Sequence, residues 1–227
     1  MERNYTIPVN EAFDKTDICP ICTLRQILES NELDLILGAS MMEPDIRVET
    51  NKLGFCDEHF RKMAEKNKRL PLALMLESHL DKIKGYIKVP SLSLSGKTDA
   101  VLSKLRAVNS SCYVCKRIDT YLEKMIETVC ILWSNDKAFR EKFDRQPFFC
   151  LLHYEAMLEK SRSYVPKKMR DDFLKAADSI QGKYIEKLKD DISWFCKKFD
   201  YRYKDEPWND SKDAIERSIA FLSGTYL

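Results

Sequence analysis

Glycine and proline are scarce in this sequence, with six and eight copies among 227 residues. β-Rich folds need frequent turns, and these two residues supply many of them, so the shortage argues against a β architecture. No apolar run approaches the roughly 20 residues that cross a bilayer. The first ten residues also lack the basic and apolar segments of a signal peptide. We therefore expect a cytoplasmic protein without a membrane partner.

A large excess of charge of either sign is also lacking. The 38 basic and 36 acidic side chains give a formal net charge of +2. Domains that bind nucleic acid usually carry a strongly basic field, so we expect no nucleic-acid partner. The sequence contains no recognisable catalytic motif, so we expect a protein that is not an enzyme more than we expect an enzyme.

Histidine is rarer still, with three copies, but two of them join six of the eight cysteines in a repeated pattern. Each repeat consists of a Cys-x-x-Cys pair followed by a Cys-x-x-His pair. The two pairs are separated by 33 residues in the first repeat and by 34 in the second. In chain order the pairs are Cys19-Pro-Ile-Cys22, Cys56-Asp-Glu-His59, Cys112-Tyr-Val-Cys115 and Cys150-Leu-Leu-His153. Such a doubled pattern is far more specific than a single Cys-x-x-Cys.

Three cysteines and one histidine form the ligand set of a closed tetrahedral zinc site. Ligands three positions apart face one side of a helix, and the start of a helix favours the thiolate that zinc needs. Cytoplasmic thiols stay reduced, which favours metal over disulfides. We predict two structural zinc ions, one held by Cys19, Cys22, Cys56 and His59 and the other by Cys112, Cys115, Cys150 and His153. Four protein ligands leave no position for a substrate.

Three alternatives stay open. The Cys-x-x-Cys of each repeat can instead meet the Cys-x-x-His of the other, because the return from the helix after Cys115 is short for the distance it must cover. Cys19-Pro-Ile-Cys22 at a helix start is also compatible with a thiol-redox enzyme or a redox sensor, which needs an accessible cysteine of low pKa. An iron–sulfur protein is the third alternative, although such clusters more often take four thiolates.

Apolar residues recur at helical spacing in both halves, which predicts an all-α protein. The repeat period of about 93 residues predicts two tandem helical-hairpin modules, each pinned by a metal site. We place the first module at residues 1–90, a linker rich in serine at 91–98, and the second module at 99–227. The second module should contain the longest helix, beginning at Pro166, and a short final helix at 213–222.

Two smaller expectations concern individual segments. Residues 39–52, with Pro44 and mixed charges, should be irregular. Cys130 and Cys196 fall outside the repeat, and we expect both to be buried as small apolar residues.

Four stretches carry a family resemblance: Tyr5-Thr-Ile-Pro-Val-Asn-Glu-Ala-Phe13, Cys19-Pro-Ile-Cys22, the segment from Asp45 to Phe60, and Asp205-Glu-Pro-Trp208. They resemble a bacterial family known as domain of unknown function 6062, over nearly the whole chain. Its most specific part is Gly-Phe-Cys-x-x-His-Phe. The second repeat has Phe148 where the first has Gly54, so the turns before the two pairs need not be identical. The resemblance implies a soluble, single-family bacterial protein and brings no activity with it.

The energetics favour a structural role for the metal. Zinc binding at such sites contributes about 10–16 kcal/mol and is coupled to folding, whereas the net stability of a domain is only about 5–15 kcal/mol. The leading interpretation is therefore a zinc-stabilised helical protein that acts by binding protein partners or as a scaffold.

Overall fold

The computed structural model describes residues 5–87 and 97–225, which contain α-helices and short 3-10 helices and no strand. The prediction of an all-α protein is confirmed. In chain order the helices are α1 Thr6–Phe13, α2 Pro20–Ile36, α3 Pro44–Leu53, α4 Asp57–Glu65, α5 Arg69–Ile87, α6 Lys97–Asn109, α7 Tyr113–Asn135, α8 Lys137–Asp144, α9 Leu151–Tyr164, α10 Arg170–Lys197 and α11 Ala214–Ser223.

The segment at 39–52 is helical, so the prediction of an irregular stretch is wrong. It forms a 3-10 helix, Ala39–Met42, followed by α3. Pro44 begins α3 instead of interrupting a helix, because the first helical position needs no backbone N–H donor. Asp45 adds a favourable negative charge in the first turn.

The long helix and the short final helix are both confirmed, as α10 and α11. The segment that follows α10 is anchored on the helix end. The ammonium group of Lys198 donates to the backbone carbonyls of Tyr203 and Lys204 at 2.6 and 2.9 Å. The indole N–H of Trp194 donates to the carbonyl of Pro207 at 2.9 Å.

The chain divides into two compact units. The first unit comprises the N-terminal segment up to Gln26 together with the chain from Leu122 onward, and the second unit is Ile27–Tyr121. Both divisions fall inside helices, in α2 and α7. The predicted modules at 1–90 and 99–227 stay a prediction about folding units. Most of the predicted linker, residues 91–96, lies outside the described residues, and residues 97 and 98 begin α6.

The core of the first unit is a group of buried phenylalanine rings that positions the start of α9. Phe143 lies 5.0 Å from Phe149 and 5.6 Å from Phe173, measured between ring centroids. The buried side-chain amide of Gln181 accepts from the backbone N–H of Phe149 and donates to its carbonyl, both at 2.9 Å. This pairing satisfies the backbone immediately before Cys150 and holds α9 on α10.

In the second unit, the turn before α4 is joined to the start of α7. Gly54 has φ +61, and a Cβ on it would lie 3.1 Å from the ring of His79, so glycine suits both the conformation and the space. The carbonyl of Gly54 accepts from the N–H of Tyr113 at 2.9 Å, and the hydroxyl of Ser111 donates to the carbonyl of Leu53 at 2.7 Å. These bonds bring the N-terminus of α7 to that of α4.

Candidate metal centres

The structure gathers the eight predicted ligands into two clusters. Cluster 1 consists of Cys19, Cys22, Cys150 and His153, and cluster 2 consists of Cys56, His59, Cys112 and Cys115. In each cluster the four ligand atoms lie within 4.8 Å of one another, which is close enough to hold one metal ion. All donors of cluster 1 belong to the first unit, and all donors of cluster 2 to the second.

The predicted pairing within each repeat is therefore wrong, and the exchanged alternative is what the structure contains. At 1.5 Å per residue the 17 residues of α2 carry the chain about 25 Å away from the first cysteine pair. An extended return to Cys56 could span that distance. The ten-residue α3 occupies that return, however, and covers only about 15 Å. In the second repeat α7 likewise runs about 34 Å over 23 residues, whereas α8 returns only about 12 Å.

Each ligand pair sits at the N-terminus of a helix. Cys56 and Cys150 are the N-cap residues of α4 and α9, and Cys19 and Cys112 immediately precede α2 and α7. At all four starts the cysteine carbonyl accepts the first intrahelical bond, at 2.8–3.1 Å. The positive end of the helix dipole therefore faces each cluster, which favours thiolates.

The distances in cluster 1 suit a tetrahedral ion. Zinc–sulfur bonds of about 2.3 Å and zinc–nitrogen bonds of about 2.0–2.1 Å place sulfurs about 3.8 Å apart and the nitrogen about 3.5 Å from each sulfur. The Sγ atoms of Cys22 and Cys150 are 3.5 Å apart. His153 Nδ1 lies 3.2 Å from both of these sulfurs and 3.8 Å from Cys19 Sγ.

Cluster 2 has nearly the same dimensions. The Sγ atoms of Cys56 and Cys115 are 3.9 Å apart. His59 Nδ1 lies 3.1 Å from Cys56 Sγ, 3.3 Å from Cys112 Sγ and 3.4 Å from Cys115 Sγ. Both clusters thus present the Nδ1 atom of their histidine to three sulfurs.

The pKa shifts in cluster 1 come from burial and from contact between the three sulfurs. Burial raises the pKa of Cys19 to about 12, and contact with Cys150 and Cys19 raises the pKa of Cys22. Hydrogen bonds from Cys19 and Cys22 instead lower the pKa of Cys150. Burial and mutual contact therefore oppose ionisation of all three thiols together, whereas a divalent cation would allow all three to be thiolates. The donor set fits such an ion.

In cluster 2, burial is the main cause of the raised pKa of both Cys112 and Cys115. Burial also lowers the pKa of His59, which keeps the imidazole neutral, the form that binds a metal. These shifts again describe a group of ligands that a bound cation would stabilise.

A carboxylate supports the histidine of cluster 2. Glu29, on α2, has one carboxylate oxygen 3.0 Å from His59 Nε2 and the other 2.7 Å from the ammonium of Lys62. This bond places the ring proton on Nε2 and leaves Nδ1 free to face the sulfurs. Histidine ligands in zinc sites are commonly oriented by a carboxylate in this way.

Two residues next to these clusters were not predicted from the sequence. Glu29 is one, because nothing in the spacing of α2 relates it to His59. Gly224 is the other. Its carbonyl lies 3.8 Å from Cys22 Sγ, and a Cβ on it would lie 3.2 Å from Cys150 Sγ. A glycine just after the apolar pattern of the last helix was the available signal, since it marks a helix end.

The remaining cysteines differ from one another. Cys130 is fully buried and burial raises its pKa to about 12, as expected of a small apolar residue. Cys196 is exposed, so the prediction that it is buried is wrong. It lies in the last turn of α10, and Phe199, two residues beyond the end of that helix, is 75% exposed.

The thiol-redox alternative rested on Cys19 and Cys22, which are 0% and 3% exposed. Reactive dithiols need an accessible cysteine with a lowered pKa. Access is missing at this pair, because both side chains are buried.

A cleft of about 280 Å³ lies between α3 and the start of α7. Apolar and aromatic side chains, including Ile46 and Tyr113, form part of its lining, and Glu49 and Lys116 contribute opposite charges 3.7 Å apart. Arg117 also lines the cleft, but its guanidinium is engaged by a nearly buried carboxylate in a two-pronged ion pair.

Fold and clusters together define an all-α protein with two Cys₃His centres that could hold metal ions. The chain belongs to the family of unknown function DUF6062, whose model matches residues 1–227. It is 22% identical over 212 residues to an uncharacterized 23.9 kDa protein in the xynA 3′ region of Caldicellulosiruptor sp. (strain Rt8B.4), covering 93% of this chain and 97% of that protein. No solved structure matches it. Within the described residues, no helix is both long and apolar enough to span a membrane.

Proposed function

We propose that this chain is a zinc-stabilised helical protein that acts through binding or as a scaffold, with one structural zinc ion in each cluster. The observation that carries the proposal is the pair of separate four-donor clusters with nearly tetrahedral spacing. The imidazole in each donor set favours zinc over an iron–sulfur cluster, which more often takes four thiolates. We also propose a cytoplasmic location, because the sulfurs must remain reduced.

The structural role follows from the number of donors. Four protein ligands complete the tetrahedral coordination of zinc and leave no position for a substrate. A bound ion would tie α2 to α9 in cluster 1 and α7 to α4 in cluster 2. A contribution of about 10–16 kcal/mol per ion would match or exceed the net stability of a typical domain.

Metal analysis tests the zinc part of the proposal. Protein purified without added metal should contain two zinc ions per chain and should show no visible absorption. A metal content well below two ions, or the absorption bands of an iron–sulfur cluster, would count decisively against it.

The binding part is supported by the cleft between α3 and α7, whose mixed apolar and charged lining suits a protein partner. Glu49→Lys reverses one exposed charge there and touches none of the metal donors. Affinity capture with this variant should lose partners that the wild-type chain retains, while the zinc content of the variant stays at two. Identical capture profiles would contradict a partner site at the cleft.

A further inference from the structure

The two clusters have identical donor sets but different access to solvent. In cluster 1, Cys19 and Cys150 are 0% exposed and Cys22 is 3% exposed. In cluster 2, Cys56 and Cys115 are both partly exposed. The two sites therefore share one donor set but differ in the exposure of their cysteines.

The end of α11 accounts for part of this difference. Gly224 lies directly against two sulfurs of cluster 1, Cys22 and Cys150. At cluster 2 the glycine before the Cys-x-x-His pair is Gly54, and it faces the side chains of His79 and Val108. Among the described residues, the backbone at Gly224 thus packs against cluster 1, whose cysteines are all buried, whereas two cysteines of cluster 2 are partly exposed.

The sulfurs of these two partly exposed cysteines are also neighbours, 3.9 Å apart. A disulfide has an S–S length of about 2.05 Å, so the sulfurs of Cys56 and Cys115 need to approach by about 2 Å. Cys22 and Cys150 in cluster 1 are closer, at 3.5 Å, but neither is accessible. Solvent access, and not the distance between sulfurs, therefore distinguishes the clusters.

We propose that cluster 2 is a site of thiol oxidation, at which a hydroperoxide converts Cys56 and Cys115 to a disulfide and releases the metal, while cluster 1 keeps its metal. The proposal rests on the proposed function, because it assumes that both clusters hold zinc. Cluster 1 would then maintain part of the fold in both redox states, and cluster 2 would report the oxidant.

The chemistry is a two-electron oxidation. One thiolate sulfur attacks a peroxide oxygen, which breaks the O–O bond and gives a sulfenic acid and one hydroxide ion. The second thiolate attacks the sulfenic sulfur and displaces another hydroxide ion, so that two thiolates and one hydrogen peroxide yield one disulfide and two hydroxide ions. His59 and Cys112 remain as the only donors, and two donors do not retain zinc against solvent and a chelator.

The test uses the full-length chain with Cys196→Ser, because this removes the exposed thiol that lies outside both clusters. Zinc-loaded protein is treated with hydrogen peroxide, and zinc release is followed with a chromogenic chelator. Samples taken during the reaction are alkylated, and the oxidised cysteines are mapped by mass spectrometry. Reduction with dithiothreitol in the presence of zinc then measures reversal.

One zinc ion per chain should leave at least about tenfold faster than the second, in step with a disulfide between Cys56 and Cys115. Simultaneous loss of both ions, earlier oxidation of Cys19, Cys22 or Cys150, or a first disulfide that includes Cys112 would overturn the proposal. A starting content below two zinc ions would contradict the proposed function instead. Even with fewer than two zinc ions bound, mass spectrometry of the purified protein still shows which cysteines oxidise first, and so it still tests the oxidation proposal.

Discussion

Paired cysteine substitutions test which donors share an ion. Cys22→Ala removes one donor of cluster 1 and Cys56→Ala removes one of cluster 2. Because Cys22 and Cys150 belong to the same cluster, the double variant Cys22→Ala/Cys150→Ala should retain one zinc ion, as each single variant does. The double variant Cys22→Ala/Cys56→Ala should retain none, because it damages both clusters.

The expected effect on stability follows the same logic. A structural zinc ion in each cluster would contribute about 10–16 kcal/mol, which is comparable with the whole net stability of a domain. Loss of the ion in cluster 1 should therefore abolish the cooperative unfolding of the part of the chain that it stabilises. A second substitution in the same cluster should add little, since the ion is already lost, and this non-additivity is the sign of a shared site.

Zinc per chain is measured by atomic emission on monomeric protein after gel filtration in the presence of a chelator, and unfolding is followed by calorimetry. Cys196→Ala is the matched control and should keep two ions, because this exposed cysteine lies outside both clusters. The opposite pattern would refute the assignment. If Cys22→Ala/Cys56→Ala kept one ion and Cys22→Ala/Cys150→Ala kept none, each repeat would hold its own metal.

Three further predictions concern the surroundings of the clusters. Glu29→Ala should weaken zinc binding at cluster 2 about 10–100-fold, because it removes the carboxylate 3.0 Å from His59 Nε2. Competition with a chelator measures the loss of zinc affinity. The control Glu65→Ala changes an exposed acid on α4 and should bind zinc as the wild type does. Equal zinc affinities for the two variants would contradict the role of Glu29. Gly224→Ala should lower the free energy of unfolding by about 1–2 kcal/mol, since its φ is +69 and the new Cβ meets a cluster 1 sulfur. Unfolding in urea measures this loss. The control Gly85→Ala should stabilise the protein by up to about 1 kcal/mol, because its Cβ meets nothing within 4 Å. A Gly224→Ala variant as stable as the wild type would rule out a close contact between the new Cβ and the sulfur. Burial lowers the pKa of His59, so below the ordinary histidine value of about 6.5 the unfolded chain binds more protons than the folded one. Stability should therefore be retained above that pH and lost as the pH falls below it towards the lowered pKa of folded His59. Thermal melts across this range measure the loss, and a melting temperature insensitive to pH would argue against a neutral, buried His59.

The sequence was sufficient to predict the helical class, the ligand residues and their places at helix starts. These features depend on local spacing: donors three positions apart share one face, and Cys56 and Cys150 each lead into an apolar helical pattern. The long α10 was equally visible, because its apolar residues recur over many turns.

The pairing of the ligands was not predictable in the same way. It depends on whether residues 39–52 return as an extended chain or as a helix, and α3 has few apolar positions to reveal it, with Val48 itself 65% exposed. The contact of Gly54 with Tyr113, which brings the two halves of cluster 2 together, is a backbone hydrogen bond that leaves no trace in a hydrophobic pattern. Cys196 was misjudged because apolar residues at the end of α10 remain exposed.

The exchange of ligands between repeats has a consequence for synthesis on the ribosome. Cys19 precedes its partner His153 by 134 residues, which corresponds to roughly 7–27 s of translation at about 5–20 residues per second. Throughout that interval the first dithiol has no completed binding site. All donors of cluster 2 are synthesised by residue 115, so the internal site is complete first and the site that joins the distant parts of the chain closes last.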